Sequence, residues 1–144
     1  MTTLLETAIR IALDAHAGET DKAGQPYILH PLTLMLQMRT DEERIVAVLH
    51  DVVEDSAVTL DDLARAGFGA AVLEALALLT HDTAATAYDD YIAALAGNPL
   101  ARAVKLADLA HNMDVRRLPA EMTLQDWGRL AKYRRAWAYL SRTQ

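Results

Sequence analysis

The stretch of sequence from Thr40 to Asp55 reads Thr-Asp-Glu-Glu-Arg-Ile-Val-Ala-Val-Leu-His-Asp-Val-Val-Glu-Asp. Thr40 and Glu43 have the spacing of a capping box, in which each side chain satisfies a free backbone amide of the first helical turn. Apolar residues then recur at helical spacing as far as Val53. The pattern predicts one helix over residues 40–55.

The second half of this helix carries four ionisable residues among its apolar neighbours, namely His50, Asp51, Glu54 and Asp55. His50 and Glu54 are four residues apart, as are Asp51 and Asp55, so each pair would share a helix face. The directions of His50 and Asp51 would differ by about 100°. Both side chains could still reach an ion that lies over the groove between them.

Similar start signals are found along the rest of the chain, and they predict that nearly all of it is helical. Helices are predicted to begin near Thr3, Pro31, Thr40, Thr59, Ala70, Thr86, Pro99 and Thr123, and the one from Pro99 is expected to reach Leu118. No alternating strand pattern exceeds a few residues, and no linker divides the chain. We predict an all-α fold, a compact bundle of about seven or eight helices in a single domain over residues 1–144.

The composition narrows the class of protein. The chain has 144 residues, 52% of them hydrophobic, no cysteine and a formal charge of −6. The absence of cysteine excludes thiol nucleophiles and thiolate metal sites, and it agrees with a cytoplasmic location. An acidic surface argues against a partner such as a nucleic-acid duplex. No run approaches the roughly 18 to 20 apolar residues of a membrane span, so we expect no membrane partner, and the oligomeric state is left open.

A second acidic residue in apolar surroundings is Asp108, which lies four residues after Val104. His111 and Asn112 follow it by three and four residues, so a carboxylate, an imidazole and an amide would share one helical stripe. Burial of a carboxylate without a partner costs several kcal/mol, so a cation or a hydrogen-bond network is expected there. Two histidines and two aspartates would form a nitrogen and oxygen ligand set that suits manganese, iron, zinc or cobalt.

Three segments resemble the HD superfamily of metal-dependent phosphohydrolases, and in particular the alarmone-hydrolase domain of Rel/SpoT proteins and their stand-alone small relatives. The first segment is H-x-G…K-x-G-x-P-Y-I-x-H-P, from His16 to Pro31. The second is L-H-D-V-V-E-D, from Leu49 to Asp55, and the third is K-L-A-D-x-x-H-N-M, from Lys105 to Met113. Their order and spacing agree over roughly residues 10–118.

The resemblance implies a hydrolase that removes the 3′-pyrophosphate of guanosine tetra- or pentaphosphate with the help of manganese, yielding GDP or GTP and pyrophosphate. Its partner would be a small phosphorylated nucleotide. Carried over by position, the metal ligands would be His30, His50, Asp51 and Asp108. Glu54 and Asp55 would handle the nucleophilic water, while Lys22 and Asn112 would contact the nucleotide.

The chain departs from the family pattern at three positions. Asp21 precedes Lys22 where the family often has arginine, Leu109 stands where arginine commonly follows the third-motif aspartate, and Val115 replaces a usual threonine. These departures concern recognition of the base and leave the metal ligands intact. Another phosphorylated nucleotide therefore stays open as the substrate, through an HD-type nucleotidase that releases orthophosphate. A nucleotide-binding module that keeps the metal without turnover is the non-enzymatic alternative.

Three other histidines receive simpler interpretations. His16, on the apolar side of the first helix, is interpreted as a structural histidine. His111 is interpreted as a hydrogen-bonding group beside the site or in the core. His81 precedes Asp82 at a predicted helix end, and we interpret the pair as a polar turn.

Overall fold

The computed structural model of the protein describes residues 1–142, which form nine α-helices and one short 3-10 helix. The α-helices are α1 (Leu4–Ala15), α2 (Leu29–Leu36), α3 (Asp41–Leu49), α4 (Val52–Asp55), α5 (Leu60–Arg65), α6 (Ala70–Leu79), α7 (Tyr88–Leu95), α8 (Pro99–Asn112) and α9 (Leu124–Arg142), and the 3-10 helix is Val115–Arg117. The prediction of an all-α fold is confirmed. None of the helices in this part of the chain combines the length and the apolar character required to cross a bilayer.

The predicted capping signals act at several helix starts. Thr3 and Glu6 form a reciprocal capping box at α1, and Thr59 and Asp62 do the same at α5. α7 differs, because it begins at Tyr88 without a side-chain cap, and the predicted start at Thr86 is wrong. Short polar side chains thus determine several of the helix boundaries, because they satisfy amides that the first turn leaves free.

The predicted helix over residues 40–55 is divided in two, which is why the structure has nine α-helices instead of seven or eight. α3 ends at Leu49 and α4 begins at Val52. The Nδ1–H group of His50 donates to the carbonyl oxygen of Ala47 at 2.9 Å. That carbonyl is the one to which the N–H of Asp51 would donate in a continuous α-helix, so the imidazole competes with the helix for its own acceptor.

The helix from Pro99 also ends earlier than predicted. α8 stops at Asn112, and the remainder of the predicted segment is a turn followed by the 3-10 helix. The side chain of Asp114 accepts a hydrogen bond from the backbone N–H of Arg116, which caps the new element. An aspartate that bonds to backbone two residues ahead favours a turn over a continued helix.

α3 lies at the centre of the fold and packs against α1, α2, α6 and α8. Its residues from Ile45 to Leu49 are all buried. The largest fully buried side chains of the core include Leu34, Val46, Leu49, Leu76, Val104 and Leu109. The end of α3 therefore brings His50 and Asp51 into the interior, opposite α2 and α8.

Truncation of the core should lower stability in proportion to the cavity that it leaves. Leu76 on α6 is 0% exposed, whereas Leu36 at the end of α2 is 79% exposed. We expect Leu76→Ala to lower the free energy of unfolding by about 2–5 kcal/mol. Leu36→Ala should change it by less than about 0.5 kcal/mol. Urea denaturation followed by circular dichroism measures both values, and equal losses in the two variants would contradict this description of the core.

Candidate metal centre

Five buried residues of the described chain have ionisable imidazole or carboxylate side chains, and all five converge on one place. They are His16, His30, His50, Asp51 and Asp108, each less than 9% exposed. His16 follows the last residue of α1, and His30 lies on α2. The break between α3 and α4 provides His50 and Asp51, and α8 carries Asp108. Buried charges require partners or a cation. An apolar core that concentrates its ionisable groups in this way is typical of a functional site.

His30, His50 and Asp108 form the centre of this cluster. Each offers one ligand atom, and these three atoms lie within 4.8 Å of one another. The Nε2 atom of His30 is 2.9 Å from Oδ1 of Asp108, and Nε2 of His50 is 3.6 Å from the same oxygen. Two imidazoles and a carboxylate that face each other at these distances could hold a divalent ion.

In His30 and His50, the ring nitrogen that points away from Asp108 makes a contact that fixes the orientation of the imidazole. Because a carbonyl can only accept, the contact with Ala47 requires the proton of His50 to be on Nδ1, which directs Nε2 inward. Nδ1 of His30 lies 2.6 Å from Nδ1 of His111, and the two rings stack with centroids 4.9 Å apart. Hydrogen bonds of this kind orient metal-binding histidines. The interpretation of His111 as a hydrogen-bonding group beside the site agrees with this contact.

Asp51 lies beside the three central residues. Its Oδ2 atom is 3.7 Å from Nε2 of His50 and accepts a hydrogen bond from the hydroxyl of Tyr27. Its Oδ1 atom is buried and 3.1 Å from Nε2 of His16, without hydrogen-bond geometry between them. A buried carboxylate oxygen without a well-formed hydrogen bond within residues 1–142 fits a position next to a cation.

Asp108 is held by two further residues of its own helix. Nζ of Lys105 lies 2.9 Å from Oδ2, and Nδ2 of Asn112 donates to Oδ1 at 3.1 Å. Burial acts to raise the pKa of Asp108, but the Lys105 ammonium and the hydrogen bonds from His30 and His50 outweigh it and hold the pKa well below its usual range. The carboxylate therefore stays charged in a nearly dry environment.

The two carboxylates also change the charge of His50. Burial acts to lower the pKa of this imidazole, yet the neighbouring Asp51 and Asp108 outweigh burial and raise the pKa to about 9. Burial likewise opposes ionisation of Asp51, but His50 and His16 keep the pKa of Asp51 below its ordinary value. His50 therefore carries a second proton, on Nε2, at neutral pH, and a cation that binds to Nε2 would have to displace that proton.

A cavity of about 510 Å³ opens directly onto this cluster and contains both predicted water-handling residues, Glu54 and Asp55. Glu54 accepts a hydrogen bond from the backbone N–H of His81 at 2.7 Å, which anchors its carboxylate at the rim. Burial, followed by the charges of Asp51 and Glu54, raises the pKa of Asp55 to about 6. A carboxyl group with a pKa near neutrality is suited to taking up and releasing a proton.

The two predicted substrate contacts, Lys22 and Asn112, are separated in the structure. Lys22 lines a second cavity of about 420 Å³ and does not line the metal-side cavity. Asn112 lines both cavities, as do Tyr27 and Tyr133, so the two spaces adjoin. Asn112 is thus close to the cluster, whereas Lys22 could contact only a part of a ligand that extends away from it.

The loop that carries Lys22 is organised by Asp21, one of the departures from the family pattern. The carboxylate of Asp21 accepts hydrogen bonds from the backbone N–H groups of Ala23 and Gln25, both at 2.9 Å. It also lies 3.8 Å from the guanidinium of Arg117. Asp21 therefore stabilises the conformation of the loop and neutralises a cation at the edge of the second cavity.

Four residues of the site were missed or given a simpler role by the sequence interpretation: His16, Tyr27, His81 and Lys105. His16 contacts Asp51, and burial raises the pKa of Tyr27, whose hydroxyl therefore stays a donor to the same carboxylate. His81 lines the metal-side cavity, so its interpretation as part of a polar turn was incomplete. Lys105 had a usable signal, because its spacing of three residues from Asp108 places both on one helix face. His16 and Tyr27 had another, because both belong to the motif that runs from His16 to Pro31.

The proton on His50 predicts a pH-dependent metal affinity. Below pH 9, a divalent ion that binds through His50 should displace about one proton, because a histidine ligand must be neutral. The apparent affinity should then rise about tenfold per pH unit between pH 7 and the pKa. Titration calorimetry in buffers of different ionisation enthalpy measures the number of protons released. An affinity that is the same at pH 7 and pH 8.5, with no proton release, would contradict this electrostatic description.

Comparison with known proteins relates this chain to one group of enzymes, although no family model matches it. The chain is 32% identical over 149 aligned positions to the bifunctional (p)ppGpp synthase/hydrolase SpoT of Escherichia coli. This alignment covers 88% of the chain and 21% of SpoT. It is 34% identical over 143 positions to the guanosine-3′,5′-bis(diphosphate) 3′-pyrophosphohydrolase of Haemophilus influenzae. That alignment covers 84% of this chain and 21% of the relative. The GTP pyrophosphokinase of Streptomyces coelicolor is 36% identical over 121 positions, in an alignment that covers 76% of this chain and 14% of the relative.

A solved structure shares the fold. It is described as "A metazoan ortholog of SpoT hydrolyzes ppGpp and plays a role in starvation responses", and it matches with a TM-score of 0.78 at 20% identity over 97% of this chain and 86% of that one. The chain spans about a fifth of the length of the SpoT-type relatives that it matches. The resemblance to the Rel/SpoT hydrolase domain is thereby confirmed, and the chain is a homologue of the part of these proteins to which it aligns.

Proposed function

We propose that this protein is a metal-dependent phosphohydrolase that removes the 3′-pyrophosphate of guanosine tetra- or pentaphosphate, giving GDP or GTP and pyrophosphate. The observation that carries the proposal is the buried cluster of imidazoles and carboxylates at the floor of a cavity that also contains Glu54 and Asp55. The relatives from Haemophilus influenzae and Escherichia coli O157:H7 are named 3′-pyrophosphohydrolases, and the metazoan structure is described as hydrolysing ppGpp.

The proposed ligands are His30, His50, Asp51 and Asp108, and the proposed ion is manganese. Three of them already present their ligand atoms within 4.8 Å of one another, and the buried Oδ1 atom of Asp51 makes no hydrogen bond of normal geometry within residues 1–142. Imidazole nitrogens mixed with carboxylate oxygens suit manganese, iron, zinc or cobalt, and the resemblance to the Rel/SpoT hydrolase domain favours manganese among them. A bound ion would supply positive charge that polarises a phosphoryl oxygen and acidifies water.

Glu54 and Asp55 are proposed to orient the nucleophilic water and to take up its proton. The backbone N–H of His81 holds the Glu54 carboxylate in place, which pre-organises one acceptor for the water. The pKa of Asp55, raised to about 6 by burial and neighbouring charge, leaves it ionised yet basic at neutral pH. The water oxygen forms a bond to the 3′-linked phosphorus, the bond from phosphorus to the ribose 3′ oxygen breaks, and that oxygen takes a proton.

The rest of the nucleotide is proposed to occupy the second cavity, with Asn112 at the junction and Lys22 further out. The adjoining volumes of about 510 and 420 Å³ are in the range of ligand pockets. A small phosphorylated nucleotide could therefore place its 3′ phosphates at the cluster and its base beyond Asn112.

A cytoplasmic location and a single-domain organisation remain predictions.

The identity of the released product tests the proposal against its enzymatic alternative. With manganese present, guanosine tetraphosphate should yield GDP and pyrophosphate, and a chelator should stop the reaction until manganese is restored. Ion-exchange chromatography of the products, with separate assays for pyrophosphate and orthophosphate, measures this outcome. Release of orthophosphate from a panel of nucleoside monophosphates would favour a nucleotidase instead, and nucleotide binding without any product would favour a binding module.

Variants separate metal binding from turnover. His50→Ala and Asp108→Ala should lose bound manganese, because each removes a central ligand. Glu54→Gln should retain manganese and lower kcat by about 10²- to 10⁴-fold, the usual contribution of a positioned acid or base. Glu74→Gln is the matched control, since Glu74 is exposed on α6 and lines neither cavity. Full activity of Glu54→Gln would show that the proposed role of Glu54 is wrong.

A further inference from the structure

One part of the lining of the metal-side cavity is built from aromatic and basic residues. Its members come from α7, α8 and α9, and they are Tyr88, Tyr91, Lys105, Lys132 and Tyr133. The cavity is thus lined by ammonium groups as well as by carboxylates. A ligand with several phosphate groups would require both kinds of group in a site that also activates water.

The two lysines on this wall differ in how their charge is balanced. Lys105 is paired with Asp108, and its ammonium also lies 5.3 Å from the ring centroid of Tyr91. Lys132 has no carboxylate within 4.0 Å among residues 1–142. Its ammonium is held 4.5 Å from the ring centroid of Tyr88 and 5.5 Å from that of Tyr133. The aromatic faces position this charge without neutralising it.

The cationic groups around Lys132 already have carboxylate partners of their own. Arg129 pairs with Asp126 on α9, and Arg135 pairs with Asp89 on α7, both at 3.3 Å. Burial, followed by the charges of Arg129 and Lys105, lowers the pKa of Lys132. An ammonium group that is half-buried, repelled by its neighbours and directed into a cavity is stabilised when an anion binds beside it.

Tyr88 adds a donor to this wall. Its hydroxyl group is buried and has no hydrogen-bond partner within the described part of the chain. Burial raises the pKa of Tyr88 to about 12, so the hydroxyl keeps its proton and can donate it to an anion. Buried polar groups are almost always paired, and an unpaired one at a cavity wall indicates a position for a ligand atom.

We propose that Lys132, together with Lys105 and the Tyr88 hydroxyl, forms an anion subsite that binds the distal phosphate of the substrate's 3′-pyrophosphate. The inference rests on the proposed function, because the phosphate that water attacks must lie at the His30, His50 and Asp108 cluster. Lys105 bridges the two places, since it bonds to the outer oxygen of Asp108. The next phosphate along the chain of the ligand then lies beside the ammonium groups, which bind phosphoryl oxygens as compact point charges.

The subsite gives the protein a way to distinguish a 3′-pyrophosphate from a 3′-monophosphate. Both substrates would present one phosphate to the cluster, but only the pyrophosphate has a second group that reaches Lys132. After the bond to the ribose breaks, the same contacts hold the pyrophosphate product. Inorganic pyrophosphate is therefore a direct probe of the subsite that requires no turnover.

Binding of inorganic pyrophosphate and of orthophosphate to the full-length, manganese-loaded protein, measured by calorimetry, tests the inference. Lys132→Met keeps the aliphatic stem and removes the charge, and it should weaken pyrophosphate binding by about 10- to 100-fold, the range for a charged hydrogen bond. Orthophosphate binding should change much less. Lys132→Arg should retain most of the affinity, and Tyr88→Phe should lose about 3- to 10-fold.

Arg134→Met is the matched control for loss of a cation that lies over an aromatic ring. Arg134 lies on the same helix, 5.6 Å from the ring of Trp137, and lines neither cavity. The Arg134→Met variant should bind pyrophosphate as the parent protein does. Thermal unfolding should show that all the variants remain folded. Parent-like pyrophosphate binding by Lys132→Met, or an equal loss for pyrophosphate and orthophosphate, would overturn the inference.

A second arm compares kcat/KM for guanosine nucleotides that carry either a pyrophosphate or a monophosphate at the 3′ position, with the same 5′ diphosphate. Lys132→Met should lower the value selectively for the 3′-pyrophosphate. An equal loss for both would assign Lys132 to the 5′ phosphates and contradict the proposal. Failure of the parent protein to hydrolyse either nucleotide would refute the proposed function, while the pyrophosphate-binding result would still decide the existence of the subsite.

Discussion

Burial of two carboxylates in an apolar core is the constraint on which the rest of this structure depends. Asp51 and Asp108 are each less than 9% exposed, and a charge in such a place is costly without partners. The fold supplies those partners from four separate elements: the end of α1, α2, the break after α3, and α8. The packing of α3 against α1, α2 and α8 therefore does more than bury apolar surface, because it also assembles the groups that keep the two aspartates ionised.

The break between α3 and α4 links this electrostatic constraint to the backbone. The hydrogen bond from His50 to Ala47 ends the helix and at the same time fixes the ring nitrogen that faces Asp108. Because the helix stops there, Asp51 reaches Tyr27 and His16, while α4 places Glu54 and Asp55 at the cavity rim. One side-chain contact thus separates the residues that would hold an ion from those that would act on water.

Much of this arrangement could be predicted from the sequence, and the exceptions have physical causes. Helix starts at Thr3 and Thr59 follow from short-range capping, and the cluster of His30, His50 and Asp108 follows from motifs whose order is preserved. The helix break was missed because apolar periodicity continues through it, whereas the competition for the Ala47 carbonyl depends on one imidazole rotamer. The pairing of Lys132 with Tyr88 joins distant segments, α7 and α9, and no local pattern indicates such a contact.

The central claim is that His30, His50, Asp51 and Asp108 surround a single divalent ion. A crystal structure grown with manganese, with anomalous diffraction used to locate the metal, tests this claim most directly. The claim predicts one manganese ion per chain at the cluster, bound by Nε2 of both histidines and by oxygens of both aspartates. An ion held elsewhere, or a well-occupied ion that leaves His30 or Asp108 uncoordinated, would contradict it.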